Sequence, residues 1–462
     1  MPAVSLDDDG LTPVDVVDPL SDDDRTPPAA AAPAAAEPPQ LPLLAEPAEG
    51  VPEPITTPER LAELVAALAA GSGPVAVDAE RASGYRYSSR AYLVQLRRDG
   101  AGTALIDPIA LPDLTSVDVV LRDVEWVLHA AHQDLPCLAE LGLRPTRLFD
   151  TELAGRLLGH ERVALGTMVE TWLGVRLEKG HSAADWSTRP LPDSWLTYAA
   201  LDVELLVQLR DVLAVELERA GKTAWAEQEF AAELVAPPPP PRTDPWRRTS
   251  GIHGVRNRRQ LAVVRQLWTA RDTLASDRDI APGRVLPDSA IVAAAKAMPT
   301  SVNDLTRLPV FGGPRQRRQS GRWFAAVSEA AALPDSDLPS SARAHSDGPP
   351  NASRWADRDP VAAARLAAAR EVVTRLAAEH DVLAQNLLAS DVVRRLCWEV
   401  VTPTEADVAA ALAGFGARPW QIDITAGPVA AALAAAATPS SPEPAPVDPP
   451  AADVDAPGEP DA

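Results

Sequence analysis

Pro74-Val75-Ala76-Val77-Asp78-Ala79-Glu80 is an apolar run that ends in two acids two residues apart. Read as a β-strand, it places Asp78 and Glu80 on one face and Val75, Val77 and Ala79 on the other. Two carboxylates then share a small space at the end of a buried strand, where an unpaired charge is costly. The arrangement is tenable if something cationic, such as a metal ion, sits between them. Further acids are therefore expected to converge on the same place from elsewhere in the chain.

The surroundings of this run set a fold class. Upstream, Thr57-Pro58-Glu59-Arg60 reads as a helix start, with Leu61, Leu64, Val65 and Leu68 at helical spacing until Gly71 and Gly73. Downstream, Arg90–Leu96 and Thr103–Pro108 read as strands joined by an Asp99-Gly100 turn, a hairpin laid on the first strand. Trp126–Ala130 reads as another strand, leading into a helix marked by Leu135, Leu138 and Leu141. From there to Leu234 the pattern reads as helical throughout, with Leu153, Leu157, Leu158, Leu201, Leu205, Leu206 and Leu209 as core candidates. Strands followed by helices imply an α/β sheet domain over residues 56–236.

Two stretches supply the further acids. In His129-Ala130-Ala131-His132-Gln133-Asp134-Leu135, Asp134 stands between a strand and the next helix, where crevices open beyond strand ends and a helix start favours an ionised acid. In Tyr198-Ala199-Ala200-Leu201-Asp202 a phenol and a carboxylate lie one helical turn apart on one face. Each stretch has a bland alternative: a strand-end acid, a helix cap, a solvated helix face. Together, four carboxylates and a tyrosine suit two divalent ions of the magnesium type, which take oxygen ligands and bridge phosphate oxygens. Phosphodiester hydrolysis is the matching chemistry. His129, His132 and His181 lack regular ligand spacing, and the tryptophans recur with Leu and Val at helical spacing as core residues.

Charge is uneven along the chain. The 462 residues carry a formal charge of −22, yet residues 1–55 hold twelve acids against Arg25, and residues 438–462 hold six acids and no base. Residues 242–330 carry sixteen Lys/Arg against seven Asp/Glu, a local +9 that favours a polyanionic partner. Composition predicts disordered acidic Pro/Ala-rich tails at 1–55 and 438–462. It also predicts a Pro-rich linker at 237–244, a basic helical domain at 245–332, a polar linker at 333–350 and a second helical domain at 351–437. Arg256, Arg258, Arg259, Arg315, Arg317 and Arg318 are the candidates for phosphate contacts, against a solvated basic face. Cys137 and Cys397 lie far apart and read as core thiols of a reducing compartment. The sequence begins without a signal-peptide pattern and holds no membrane-length apolar run, so a soluble cytoplasmic protein is expected.

On these motifs, residues 74–210 resemble the DEDD-type 3′-to-5′ exonucleases of the ribonuclease D family, the subclass with Tyr in its third motif. Val77-Asp78-Ala79-Glu80 carries the first motif, His129–Leu135 the second and Tyr198–Asp202 the third. Phe149-Asp150-Thr151, Leu177-Glu178-Lys179 and Asp185-Trp186-Ser187-Thr188-Arg189-Pro190-Leu191 are similar to ribonuclease D in particular. Residues 245–330 resemble the HRDC domain that follows the nuclease, and the third segment its more divergent HRDC-like second copy.

The resemblance implies a ribonuclease H-like mixed-sheet domain followed by two small all-α modules. It implies a pair of ions, Mg2+ or Mn2+, with Asp78 shared between them. Glu80 and Asp202 would complete the ion nearest the attacking water, Asp134 would support the other, and Tyr198 would orient the nucleophile. Nucleoside 5′-monophosphates would be released from RNA, with tRNA precursors and other small structured RNAs as substrates. Ala79 replaces a frequent Thr and His132-Gln133 a small polar pair, neither removing a ligand. A DNA exonuclease sharing the site is the alternative. A non-catalytic nucleic-acid-binding protein is a weaker one, since all five site positions are kept.

Overall fold

The computed structural model describes residues 41–178, 180–181, 183–238, 240–341, 348–400 and 404–437. The tail segments 1–40 and 438–462, Lys179, Pro239 of the first linker and residues 342–347 of the second lie outside the described residues. Among the described residues seven strands are formed: β1 (Leu43–Leu44), β2 (Ser72–Arg81), β3 (Ala91–Asp99), β4 (Gly102–Ile106), β5 (Glu125–Leu128), β6 (Arg147–Asp150) and β7 (Arg176–Leu177). Five of them make one sheet in the order β4-β3-β2-β5-β6. The hairpin partners β3 and β4 are antiparallel, while β5 and β6 run parallel to β2 and to each other.

The sheet alternates as its sequence alternates. Val75, Val77, Ala79, Val94 and Leu96 enter the larger core. Leu93 and Leu105 enter a smaller one with Tyr92, Trp186, Ala199 and Ala200, beneath the Asp193–Glu204 helix. The register sets Asp78 opposite Gln95 and Glu80 opposite Leu93, then shifts between Glu80 and Arg81. Ahead of the sheet, the Pro58–Ala70 helix starts where the Thr57 side chain accepts from the Arg60 N–H, and it buries Leu61, Leu64 and Leu68.

Three features depart from the expectations. Residues 41–55, assigned to the tail by composition, pair at sheet edges: β1 runs parallel to β7, and Ile55 exchanges backbone hydrogen bonds with Leu105 and Asp107 at 2.7 and 3.0 Å. Backbone pairing needs no apolar run, so composition misses it. The stretch from Leu135 to Leu234 is not all helical, because β6 and β7 interrupt it; strands of four and two residues show no period. The strand expected to reach Ala130 stops at Leu128, since Ala130 takes a left-handed conformation (φ 60°) and a 3-10 turn intervenes before the Leu135–Glu140 helix.

Beyond the sheet domain lie two helical modules with different attachments. The middle one has its own core, built from Trp246, Leu261, Val264, Leu267, Ile291, Phe311, Trp323 and Val327. The last one shares the sheet domain's large core through Leu366, Val373, Leu396, Trp420 and Leu433. Trp420 stacks on Trp225 at 4.5 Å, and the Lys222 ammonium donates to the carbonyls of Leu157 (2.8 Å) and Asp381 (2.9 Å). Among the described residues no helix is long and apolar enough to cross a membrane.

Candidate active site

At the C-terminal end of β2 the chain opens into a cleft of about 510 Å³ lined by Asp78, Glu80, Arg81, His129, Asp134, Tyr198 and Asp202, among others. Asp78 and Glu80 come from the strand; Asp202 arrives from the Asp193–Glu204 helix crossing above. Ligand oxygens of these three lie within 4.8 Å of one another. Asp134 lines the same cleft outside that trio, with its carboxylate 3.4 Å from the Arg81 guanidinium. Tyr198 stands one turn before Asp202 on the same helix and lines the same cleft. All five residues that the sequence motifs single out are thus brought to one place.

The electrostatics suit a cation-binding site. Burial, then the charges of Asp78, Asp202 and Asp134, pushes the Glu80 carboxyl up to about 10. Burial and Asp78 push Asp134 up to about 8 against the pull of Arg81. Burial also raises Asp78 and Asp202 above the usual carboxylate range, and burial with the neighbouring acids keeps the Tyr198 phenol protonated. Crowded carboxylates facing one arginine are a donor set for hard divalent ions.

Supporting residues hold this geometry, and sequence reasoning did not give them roles. Fully buried Asp150 accepts from the N–H groups of Ala130 (3.2 Å) and Ala131 (2.7 Å), fixing the left-handed turn that leads to Asp134. The same carboxylate caps the Thr151–Leu157 helix through Glu152 and Leu153. His129, its pKa lowered by burial, sits 2.9 Å from the Thr151 hydroxyl. Glu233 accepts from the His132 N–H at 2.8 Å, tying a later helix to the loop. The motif Phe149-Asp150-Thr151 was the available signal. In the Asp185–Leu191 phrase, Trp186 is fully buried, and Arg189 grips Asp107 at 2.7 and 2.8 Å and the Tyr92 carbonyl at 2.7 Å. That phrase clamps the sheet under the helix bearing Tyr198.

Among the six basic candidates, Arg256, Arg258, Arg315, Arg317 and Arg318 are exposed and Arg259 is half-buried. Arg258 and Arg259 also make contacts within the module itself. Arg258 donates to the carbonyls of Asp335, Leu338 and Pro339, and Arg259 to those of Ala331 and Leu333 and to the Asp335 carboxylate. Their guanidiniums hold the module's C-terminal turn. Cys137 and Cys397 are both buried and free, and burial pushes each thiol up to about 12.

A 3′-5′ exonuclease family matches residues 52–218, an HRDC domain family residues 260–327 and a 3′ to 5′ exonuclease C-terminal domain family residues 348–433. Ribonuclease D of Acidiphilium cryptum is 34% identical over 319 residues, covering 66% of this chain and 80% of the relative. The chain belongs to the ribonuclease D family. It is a 3′-to-5′ exoribonuclease, with an α/β exonuclease domain followed by helical modules that include an HRDC domain. The crystal structure of Escherichia coli RNase D, described as an exoribonuclease involved in structured RNA processing, is similar with TM-score 0.61 and 27% identity, over 83% of this chain and 98% of that one. A crystal structure of a protein from Bifidobacterium adolescentis is similar with TM-score 0.80 and 39% identity, over 85% and 100%. DEDD exonucleases of this kind are metal-dependent, and the carboxylate trio has the donor set they require.

Proposed function

We propose that this ribonuclease D acts in the cytoplasm with two divalent ions, Mg2+ or Mn2+, and trims 3′ extensions of tRNA precursors and other small structured RNAs to nucleoside 5′-monophosphates. The observation that carries the reading is the trio of largely enclosed carboxylates, Asp78 and Asp202 half-buried and Glu80 buried, with ligand atoms within 4.8 Å. Asp78, near the end of β2, would be a ligand common to the two ions, Glu80 and Asp202 would complete the holding of one, and Asp134 would support the other from outside the trio. The ions, when bound, supply Lewis acidity to the attacking water and counter-charge to the leaving 3′ oxygen. Tyr198 stays protonated beside Asp202 and presents its oxygen to the cleft to orient the nucleophile. Arg256, Arg315, Arg317 and Arg318 offer exposed charge to the phosphates of a structured RNA.

The test is incubation of the full chain with 5′-labelled RNA and DNA of one sequence, with chelator, Mg2+ or Mn2+. Stepwise shortening of RNA from the 3′ end, release of 5′-monophosphates and loss of activity in chelator are expected. Shortening in chelator would overturn the metal assignment, and equal rates on DNA would favour the deoxyribonuclease alternative.

A further inference from the structure

Arg81 lines the cleft immediately after Glu80, where the first motif ends. Regular alternation from Glu80 would turn it to the opposite face of β2. Arg81 nevertheless lines the cleft, at a point where the register shifts because β3 carries the unpaired Tyr92 opposite the Glu80–Arg81 step, and irregularities of this kind are found beside active sites. The guanidinium reaches Asp134 at 3.4 Å while the side chain stays 26% exposed. That separation is longer than the roughly 2.7–2.9 Å of a charge-assisted hydrogen bond. Among the described residues no side-chain hydrogen bond and no other ion pair of Arg81 is formed. Other arginines packed on this domain are saturated: Arg189 holds Asp107 and three carbonyls, and Arg98 holds the carbonyls of Leu68 and Gly73. Arg81 therefore brings a planar fork of uncommitted donors into a cleft whose substrate is a polyanion.

We propose that Arg81 is a substrate-binding residue: its guanidinium contacts a phosphate of the RNA strand in the cleft, and Asp134 holds it when no RNA is bound. The inference rests on the assignment of the carboxylates as the metal site. It has two consequences of opposite sign. Removing the charge relieves repulsion of an incoming divalent ion, so metal binds more tightly. Removing the fork loses a phosphate contact, so RNA binds less tightly and with a weaker salt dependence. A residue that only shaped the cleft would weaken both or neither.

The experiment compares wild type, Arg81→Gln and Arg81→Lys as full chains of matched melting temperature. Mn2+ binding without RNA is read by calorimetry, and binding of a short single-stranded oligoribonucleotide is read by fluorescence anisotropy with Ca2+ in place of Mn2+, across a salt series. Arg81→Gln should bind Mn2+ several-fold more tightly, bind RNA roughly ten- to a hundredfold more weakly, and lose about 0.7 from the salt slope. Arg81→Lys should keep the wild-type Mn2+ affinity and the slope, with intermediate RNA affinity. Unchanged RNA affinity and slope in Arg81→Gln would overturn the inference, as would weakened Mn2+ binding. Failure of wild type to bind Mn2+ at all would overturn the metal-site assignment and this inference with it.

Discussion

Glu80 is under strong pressure in the cleft: burial and the charges of Asp78, Asp202 and Asp134 hold it at about 10, and burial with Asp78 holds Asp134 at about 8. These values lie above those of the unfolded chain, so between the two the folded protein binds more protons than the unfolded one. Stability from these groups is full below the unfolded pKa and is lost as pH rises towards 8 and 10. Without metal, the melting temperature should therefore fall between about pH 6 and pH 9, and excess Mn2+ should flatten that fall by stabilising the charged forms. Melting curves in chelator that stay level or climb over this range would contradict the crowded site. Asp78→Asn removes one of the charges acting on Glu80, Asp134 and Asp202. In chelator it should be as stable as wild type or more so, while RNA shortening falls by roughly two to three orders of magnitude. A variant within a few-fold of wild-type turnover would remove Asp78 from the chemistry. At this scale the sequence was legible where residues are out of place: acids ending an apolar strand are anomalous, and so Asp78 and Glu80 stood out. Asp150 and Arg81 did not, because an Asp before a helix and an Arg after a strand are ordinary until a left-handed turn or a register shift gives them work.

Segment 82–90, which leaves β2 just after Arg81, is held by the middle module. One Asp279 carboxylate accepts from the N–H groups of Tyr87 (3.2 Å) and Ser88 (2.9 Å), from Arg90 and from the Tyr92 hydroxyl. Ala281 donates to the Tyr85 carbonyl, and Arg284 lies over the Tyr85 ring while donating to Gly84. The module thus braces the segment that follows the metal-binding strand. Asp279→Ala should lower kcat on short unstructured RNA by roughly tenfold, through misplacement of the cleft's edge, with little change in RNA affinity. Unaltered turnover on short RNA would leave the module with binding alone. Elements with a period were readable in advance: β2, the β3–β4 hairpin and the helix carrying Tyr198 and Asp202. Those without one, β1, β6 and β7, were not, because they are defined by partners distant in sequence.

Across the whole molecule, the two helical modules differ in how they are joined. The middle module folds around Trp323 and Phe311 apart from the rest, whereas the last module completes the core of the exonuclease domain. Trp420, 2% exposed and stacked on Trp225, also donates to Glu229 at 2.9 Å. Trp420→Ala should destabilise the exonuclease domain by about 3–5 kcal/mol and leave the middle module's transition in place, as scanning calorimetry would resolve. A loss confined to the last module would argue against a shared core. Composition showed the modules' order through the Pro-rich break and the basic segment. It did not show that the first and last pack as one, since nothing in either stretch names its partner.

That shared core has a consequence in time. The exonuclease domain's last helix ends at Leu234, and the helix that buries Trp420 against it begins at Pro419, some 185 residues later. At roughly 5–20 residues per second of synthesis, the ribosome needs on the order of ten seconds or more to reach it. Throughout that interval the catalytic domain is a body with one wall missing, its carboxylates already made but its packing unfinished. The enzyme's core is therefore finished only when its last helix arrives, and a message cut short before Trp420 would leave that wall unbuilt.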